Sequence, residues 1–350
     1  MINRSLIKVF LINLIFLFLF NNLNAETVSE DKAISDSTET NQQNIDTAEV
    51  TLTITNSTVT RANQSIKVDT GLADVSISID SNSTVKTTSG DNPILGENTT
   101  RLSVDNYGTI TSSSKKAIDI YRTTDATITN NSGGEIYAAG NRFRTGGRSN
   151  DNSVGYTITN SGKIYSTNTT NSAIFGNANS TGGKIVNNSG GEIYSSGSQA
   201  TIKVGASTTI TNSGSIKNNS DVDYSSISLL GNSNTVTLKN DGIVVGVIEA
   251  ADGTTGNKLQ MQHGFGQGYF YETSGDFTLE DLDGNQVVKG SAGSVGQGGS
   301  ETLDELLGYK SLNIRKSLNR YKKSKSFIEG KDSWGEVYVS NLKEKRIIII

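Results

Sequence analysis

Residues 156–166 read YTITNSGKIYS, and close copies of this phrase recur along the chain. Aligned on the glycine of the shared pattern apolar–x–Asn–x–Gly–x–Ile, successive copies lie 23 to 29 residues apart. Each copy predicts two short strands, because β-branched residues alternate with polar ones on both sides of a turn. We expect Asn and Gly to make that turn, since both tolerate the left-handed backbone conformation. The aligned glycines are Gly108, Gly134, Gly162, Gly191, Gly214 and Gly242.

A period of this length is typical of stacked repeats. A propeller blade needs a longer repeat and a leucine-rich repeat needs a leucine consensus, so the parallel β-helix fits best. We predict an all-β, right-handed parallel β-helix of about eight coils over residues 50–250, with inward side chains stacked from coil to coil. The predicted columns are Ile128, Ile158, Ile185 and Ile210; Ile136, Ile164, Ile193 and Ile216; and an amide ladder of Asn130, Asn160, Asn187 or Asn188, and Asn212.

Composition narrows the possible functions. The chain has 350 residues, no Cys and 33% hydrophobic residues, which excludes disulfides, Cys-bound zinc and thiol catalysis and suits a thin, elongated fold. Residues 1–309 carry 20 Lys and Arg against 31 Asp and Glu, whereas residues 310–350 carry 11 against 4. The acidic body argues against a nucleic-acid partner, because phosphate contacts need a basic face.

The N-terminus has the pattern of an export signal. Arg4 and Lys8 precede a Phe- and Leu-rich run that ends in small and polar residues, with cleavage predicted after Ala25. An uncleaved membrane anchor is the alternative, although the apolar run is short for a membrane span. Residues 1–25 are therefore interpreted as a signal peptide, and the polar residues 26–49 as a disordered lead-in.

The C-terminal part follows a different pattern. Residues 251–300 predict a β cap that ends in a Gly/Ser linker from residue 291. Residues 301–328 predict a helix, with an apolar stripe of Leu303, Leu307, Ile314, Leu318 and Tyr321. Residues 334–350 begin with an alternating strand that contains Trp334.

This order of segments resembles the bacterial autotransporters of type V secretion. The resemblance implies a β-helix passenger exported to the cell surface, a helix that threads an outer-membrane barrel, and the truncated start of that barrel from Trp334 onward. The parent family lies at the cell surface or outer membrane. Because the given sequence ends at Ile350 before a full barrel, we expect this chain to be periplasmic or secreted, with barrel assembly only if a full barrel is encoded.

The expected function is that of a non-enzymatic passenger, either an adhesin or a structural stalk. Its expected partners are host or environmental glycans or surface proteins. The longest insertion between repeats, residues 138–155, carries a possible contact surface of Arg142, Phe143, Arg144 and Arg148. A solvated, tolerated insertion is the alternative interpretation.

We weighed catalysis as the competing function. His263 is the only histidine, and no serine-protease phrase accompanies it. A polysaccharide lyase or hydrolase on a β-helix would need clustered carboxylates with a nearby cation. Asp105, Asp119, Asp125 and Arg122 share one coil, but neighbouring coils do not repeat them. The sequence therefore predicts no catalytic, metal-binding or cofactor-binding residue.

Overall fold

The structure, a computed structural model, describes residues 25–139, 143–144, 152–220, 223–288, 292–294, 308, 311, 314–315, 337–339 and 347–349. Its main body is a right-handed parallel β-helix with three sheets, which we name A, B and C. Sheets A and B have 11 strands each and sheet C has 9. Nine coils therefore contribute a strand to every sheet, and two further coils contribute only to sheets A and B.

Each strand pairs in parallel with the equivalent strand of the coils before and after it. The strands of sheet A are β1 (Ala25–Val28), β4 (Gln42–Ile45), β7 (Ile66–Val68), β10 (Ile94–Glu97), β13 (Ile118–Tyr121), β16 (Phe143–Arg144), β19 (Ile174–Phe175), β22 (Ile202–Val204), β25 (Ser225–Leu229), β28 (Val247–Ala250) and β31 (Thr273–Ser274). Those of sheet B are β2 (Lys32–Ser35), β5 (Thr51–Thr55), β8 (Ser76–Ile79), β11 (Ser103–Asn106), β14 (Thr127–Asn130), β17 (Thr157–Asn160), β20 (Lys184–Asn187), β23 (Thr209–Asn212), β26 (Thr235–Lys239), β29 (Lys258–Gln262) and β32 (Thr278–Asp281). Those of sheet C are β3 (Thr38–Glu39), β6 (Thr58–Arg61), β9 (Thr84–Thr87), β12 (Thr109–Ser112), β15 (Glu135–Ala138), β18 (Lys163–Ser166), β21 (Glu192–Ser195), β24 (Ser215–Asn218) and β27 (Ile243–Val245).

The predicted fold and its columns are confirmed. Eight strands of sheet B, β5 to β26, lie within residues 50–250, one for each predicted coil. The column from Ile128 to Ile210 pairs in register in sheet B, and the column from Ile136 to Ile216 does so in sheet C. All eight isoleucines are buried, so the alternation places them inward as a strand period of two requires.

The glycine of the phrase has a different purpose from the one predicted. Gly162 does not adopt a positive φ; the left-handed residues of the related NSGG turns are Gly133 and Gly190, with φ of 84° and 81°. A Cβ at Gly162 would overlap the carbonyl oxygen of Gly134 in the neighbouring coil. The phrase therefore needs glycine because adjacent coils approach too closely there for any side chain.

Residues 26–49 correct the prediction of a disordered lead-in. Strands β1 to β4 lie in this segment, and β1, β2 and β3 pair with β4, β5 and β6 of the next coil. Three apolar side chains, Val28, Ile34 and Ile45, are buried there. Backbone pairing with a folded coil lets a mostly polar segment join the helix with few apolar residues. The predicted signal peptide, residues 1–25, lies outside the described residues except for Ala25.

At the other end, the segment predicted as a cap is partly a continuation of the helix. Strands β29, β31 and β32 extend sheets A and B, whereas sheet C stops at β27. Three other strands form a separate antiparallel sheet: β30 (Tyr269–Tyr271), β33 (Val287–Val288) and β34 (Ala292–Ser294). The Tyr271 hydroxyl donates to the Gly242 carbonyl, 3.2 Å away, so β30 contacts the turn that precedes β27. Strand β34 also shortens the predicted linker, the rest of which lies outside the described residues.

The structure describes little of residues 301–350. Gly308, Ser311, Ile314 and Arg315 are helical, within the helix predicted for residues 301–328. Ile314 is 52% exposed, and the other residues of the predicted apolar stripe lie outside the described residues. The single strand predicted after Trp334 is corrected to a pair: β35 (Val337–Val339) and β36 (Ile347–Ile349) are antiparallel.

Candidate functional site

The outer face of sheet C changes character over three consecutive coils. In one outward column, Thr111 is followed by Tyr137, Tyr165 and Tyr194, and then by Lys217. We call Tyr137, Tyr165 and Tyr194 the tyrosine strip. The rest of this column carries Thr60, Lys86 and Thr111 before the strip and Lys217 and Val245 after it, so three consecutive aromatic side chains are a local departure.

The three rings of the tyrosine strip form a continuous stack. The ring centroids of Tyr137 and Tyr165 are 4.6 Å apart, with an interplanar angle of 25°. Those of Tyr165 and Tyr194 are 4.7 Å apart, with an interplanar angle of 11°. The spacing equals the rise between paired strands, because each ring stands on its own coil. The inner ring faces therefore cover one another, and the strip presents ring edges and hydroxyl groups to solvent.

A second outward column runs beside the tyrosines on the same strands. It consists of Glu135, Lys163 and Glu192, which we call the charged column. The Tyr165 hydroxyl donates to Glu135 Oε1 at 2.5 Å, which joins the two columns. Burial raises the pKa of the Tyr165 phenol, and the hydrogen bond to Glu135 raises it further. Tyr165 consequently offers a neutral phenol group.

The pKa of Tyr194 is raised for related reasons. Burial is the largest cause, and the negative charges of Glu135 and Glu192 add to it. The Tyr137 hydroxyl lies 3.0 Å from Thr167 Oγ1, within hydrogen-bond distance. The phenols of Tyr137 and Tyr165 therefore make hydrogen bonds, and Tyr165 and Tyr194 lie beside fixed negative charges.

A shallow groove of about 290 Å³ adjoins the charged column. Left-handed glycines open it: no atom lies within 4 Å of a Cβ built on Gly133 or Gly190. The groove joins the turns of three coils to the Glu135 and Lys163 side chains, so carboxylate, ammonium and hydroxyl groups meet in one place. Its lining is Ser132, Gly133, Gly134, Glu135, Ser161, Gly162, Lys163 and Gly190.

The amide ladder fixes the turns between sheets B and C, which precede the charged column. Asn106, Asn130, Asn160, Asn187 and Asn212 are linked by four Nδ2-to-Oδ1 hydrogen bonds of 2.8 Å each. The structure thus selects Asn187 over Asn188 and adds Asn106 to the predicted set. Each inner amide both donates and accepts, as predicted.

The same amides also tie each turn to the strand that follows it. Asn160 Nδ2 donates to the Gly162 carbonyl at 3.1 Å and to the Glu192 carbonyl of the next coil at 3.2 Å. Buried amides with all these partners are costly to displace. The ladder therefore fixes the start of sheet C, where the charged column stands.

The predicted arginine surface falls largely outside the described residues. Arg142 and Arg148 lie there, whereas Phe143 and Arg144 form the short strand β16 of sheet A instead of part of a loop. Phe143 pairs in register with the buried Ile174, and Arg144 with Asp119 and Phe175. A contact role for these four residues remains a prediction.

His263 takes part in aromatic packing near the C-terminal end of the helix. Its Nδ1 lies 2.6 Å from the Asn240 carbonyl oxygen, and its Nε2 lies 2.9 Å from the Tyr271 hydroxyl. The imidazole also stacks against Tyr271 and lies 5.3 Å from the Tyr269 ring centroid. These contacts connect the last coils to the antiparallel sheet.

The carboxylates weighed for catalysis stand on separate elements with separate partners. Asp119, in β13, is buried and accepts from Asn92 at 3.1 Å and from Lys116 at 2.8 Å. Asp105, in β11, accepts from Asn131 at 3.3 Å. Arg122 donates to Glu97 at 3.3 Å. Asp125 lies in the bend before β14.

Comparison with known proteins gives no relative. No protein family, curated protein or solved structure matches the chain. The coils themselves define the class, a parallel β-helix repeat protein. Among the described residues, no helix combines the length and apolar character needed to cross a membrane, and no group of three or more His, Cys, Asp or Glu side chains is placed to hold a metal ion.

Proposed function

We propose that this chain is an exported, non-enzymatic β-helix passenger of the autotransporter type that acts by adhesion. The observation that carries the proposal is the continuous, in-register stack of coils. Eleven coils at about 4.8 Å each give a rod of roughly 50 Å. Such a rod presents a long repetitive surface, which suits adhesion or the display of a contact surface away from a membrane.

The export part of the proposal is supported by the N-terminal sequence pattern, a charged start followed by an apolar run. Expression of the full chain in a Gram-negative host, with cell fractionation and N-terminal sequencing, tests it. We expect mature protein that begins at Glu26 and lies outside the cytoplasm. A matched variant with Phe16→Arg and Phe18→Arg should remain uncleaved in the cytoplasm. Wild-type protein that stays uncleaved in the cytoplasm would contradict the proposal.

The non-enzymatic part is supported by the way the carboxylates are used. Asp119 is held by a lysine and an amide, and Asp105 serves an asparagine on the next coil. A glycoside-cleaving site of the usual kind needs a carboxylate pair that faces one substrate bond. Incubation with polysaccharides, followed by an assay for new reducing ends or unsaturated products, tests this. Sustained turnover that disappears in Asp119→Asn would favour the enzyme instead.

A further inference from the structure

We infer that the tyrosine strip and the adjoining groove bind an extended, uncharged polysaccharide that lies parallel to the helix axis. This inference rests on the proposed adhesive function and names its site and ligand class. The combination that carries it is three stacked tyrosines, a parallel column of charged hydrogen-bonding groups and a polar groove, all on consecutive coils.

The first argument is the match between two periodic structures. Identical groups recur on the protein at 4.6 and 4.7 Å along the axis. In an extended β-linked glycan, successive sugar rings advance by a similar distance. A chain laid along the strip can therefore make the same contact at each coil, which a compact ligand cannot do.

The second argument is chemical. Tyrosine offers an apolar ring and a polar hydroxyl with little conformational entropy to lose, which suits a sugar with apolar C–H groups and many hydroxyls. Because the inner ring faces are stacked on each other, contact is made by ring edges and phenol hydroxyls. Glu135 and Glu192 can accept hydrogen bonds from sugar hydroxyls, and Lys163 can donate to them.

The charges on this face argue against two other ligands, a polyanionic glycan and a second copy of the chain. The charged column reads negative, positive, negative, and residues 1–309 carry 20 basic against 31 acidic residues, so a polyanionic glycan is repelled. A second copy docked by a two-fold axis through this face would set Lys163 against Lys163 and Glu135 against Glu192. Like charges placed directly opposite are destabilising. An uncharged chain avoids both penalties.

The ends of the strip set the length of the site. Thr111 and Lys217 replace tyrosine on the coils immediately before and after. Three coils are therefore available, which corresponds to about three or four sugar rings at a rise of about 4.8 Å per coil. Affinity should increase with ligand length up to a tetrasaccharide and then remain level.

Isothermal titration calorimetry on the full chain tests the inference. The probes are neutral hexasaccharides of β-1,4-linked glucose, xylose, mannose and N-acetylglucosamine, with maltohexaose as a coiled neutral control and a hyaluronan hexasaccharide as a polyanion. We expect at least one extended neutral probe to bind, and maltohexaose and hyaluronan to bind at least about tenfold more weakly. Failure of all four extended probes, or preference for hyaluronan, would overturn the inference.

Variants locate the site. Tyr165→Ala should weaken binding about tenfold or more, and Tyr165→Phe, which keeps the stack, should lose less. Thr111→Ala, in the same column outside the strip, should bind as the wild type does. Unchanged binding by both tyrosine variants would overturn the inference. Circular dichroism of each variant checks the fold. If Tyr165→Ala unfolds, unchanged binding by both Tyr165→Phe and Glu192→Gln would overturn the inference.

An exported chain that binds none of the extended probes would overturn this inference alone, whereas retention in the cytoplasm would contradict the proposed function.

Discussion

The first coil and the central coils have the same backbone arrangement but are held by different side chains. In the central coils, inward positions carry isoleucine columns and the amide ladder. In the first coil, Lys32 Nζ lies 2.5 Å from Glu26 Oε1 and donates to Gln43 Oε1 at 2.7 Å. Gln43 is fully buried in register with Ile66. A polar network that joins Glu26 and Lys32 of the first coil to Gln43 of the second therefore lies at the N-terminal end of the described coils.

This difference shows what the repeated phrase is needed for. The first coil lacks the phrase and still pairs with its neighbour, so parallel pairing does not depend on it. Five of the six copies of the phrase coincide with the ladder, which begins at Asn106, next to Ile79, and ends at Asn212, next to Leu238 of the Gly242 copy. Asn106 Oδ1 is buried without a hydrogen-bond partner at the point where the ladder begins. The phrase thus specifies the ladder and the close turn, and the coils outside it use other inward groups.

The largest effect is expected from a charge in the central core. Ile164→Asp would bury an unpaired carboxylate between Ile136 and Ile193, and should reduce the free energy of unfolding by more than about 4 kcal/mol. Thr157→Asp places the same group on the outer face and should cost less than about 1 kcal/mol. Urea denaturation measures both. Equal destabilisation by the two variants would contradict the observed inward and outward register.

A smaller effect is expected from breaking the ladder. Asn160→Leu removes the acceptor of Asn130 and the donor of Asn187, and should cost about 2–3 kcal/mol. Asn188→Ala is the matched control, since its amide donates only to the half-buried Ser161 hydroxyl at 2.8 Å, and it should cost less than about 1 kcal/mol. If Asn160→Leu is as stable as Asn188→Ala, the ladder amides make no contribution to the free energy of unfolding.

The smallest effect is expected in the first coil and depends on pH. The hydrogen bond from Lys32 is the largest cause that lowers the pKa of Glu26 from its ordinary value of 4.5, partly offset by burial. A lowered carboxyl pKa stabilises the fold above 4.5, and this stabilisation is lost as the pH falls from 4.5 through the lower folded value. Because Glu26 is 43% exposed, solvent screening keeps the effect below about 1 kcal/mol.

Hydrogen exchange resolves this effect by region. On acidification below pH 4.5, amide protection of Ala25–Val28 and Lys32–Ser35 should fall before that of the central strands. Glu26→Gln should remove this pH dependence. A first coil whose protection follows the central coils at every pH, in both proteins, would argue against a separate polar network.

The sequence predicts the columns well because their cause is local. Strand alternation and a regular period place Ile164 and Asn160 without knowledge of the rest of the fold. The first coil escaped prediction because its stability comes from pairing with the coil after it, which composition does not reveal. The tyrosine strip was present as EIYA, KIYS and EIYS in three phrases, but each Tyr was interpreted only as a strand residue. When these three strands are aligned, Tyr occupies the third position of each, and this alignment identifies the column.

The central claim is a stack of in-register coils, and distances along its axis test it most directly. The chain has no Cys, so spin labels can be placed by Thr51→Cys with Thr157→Cys, and by Thr51→Cys with Thr235→Cys, all outward in sheet B. Pairing through β5, β8, β11, β14, β17, β20, β23 and β26 separates these pairs by four and seven coils. Double electron–electron resonance should give about 19 Å and about 34 Å between the two backbone positions, a rise of about 4.8 Å per coil. Distances that do not increase in proportion to the number of coils would contradict the stacked helix.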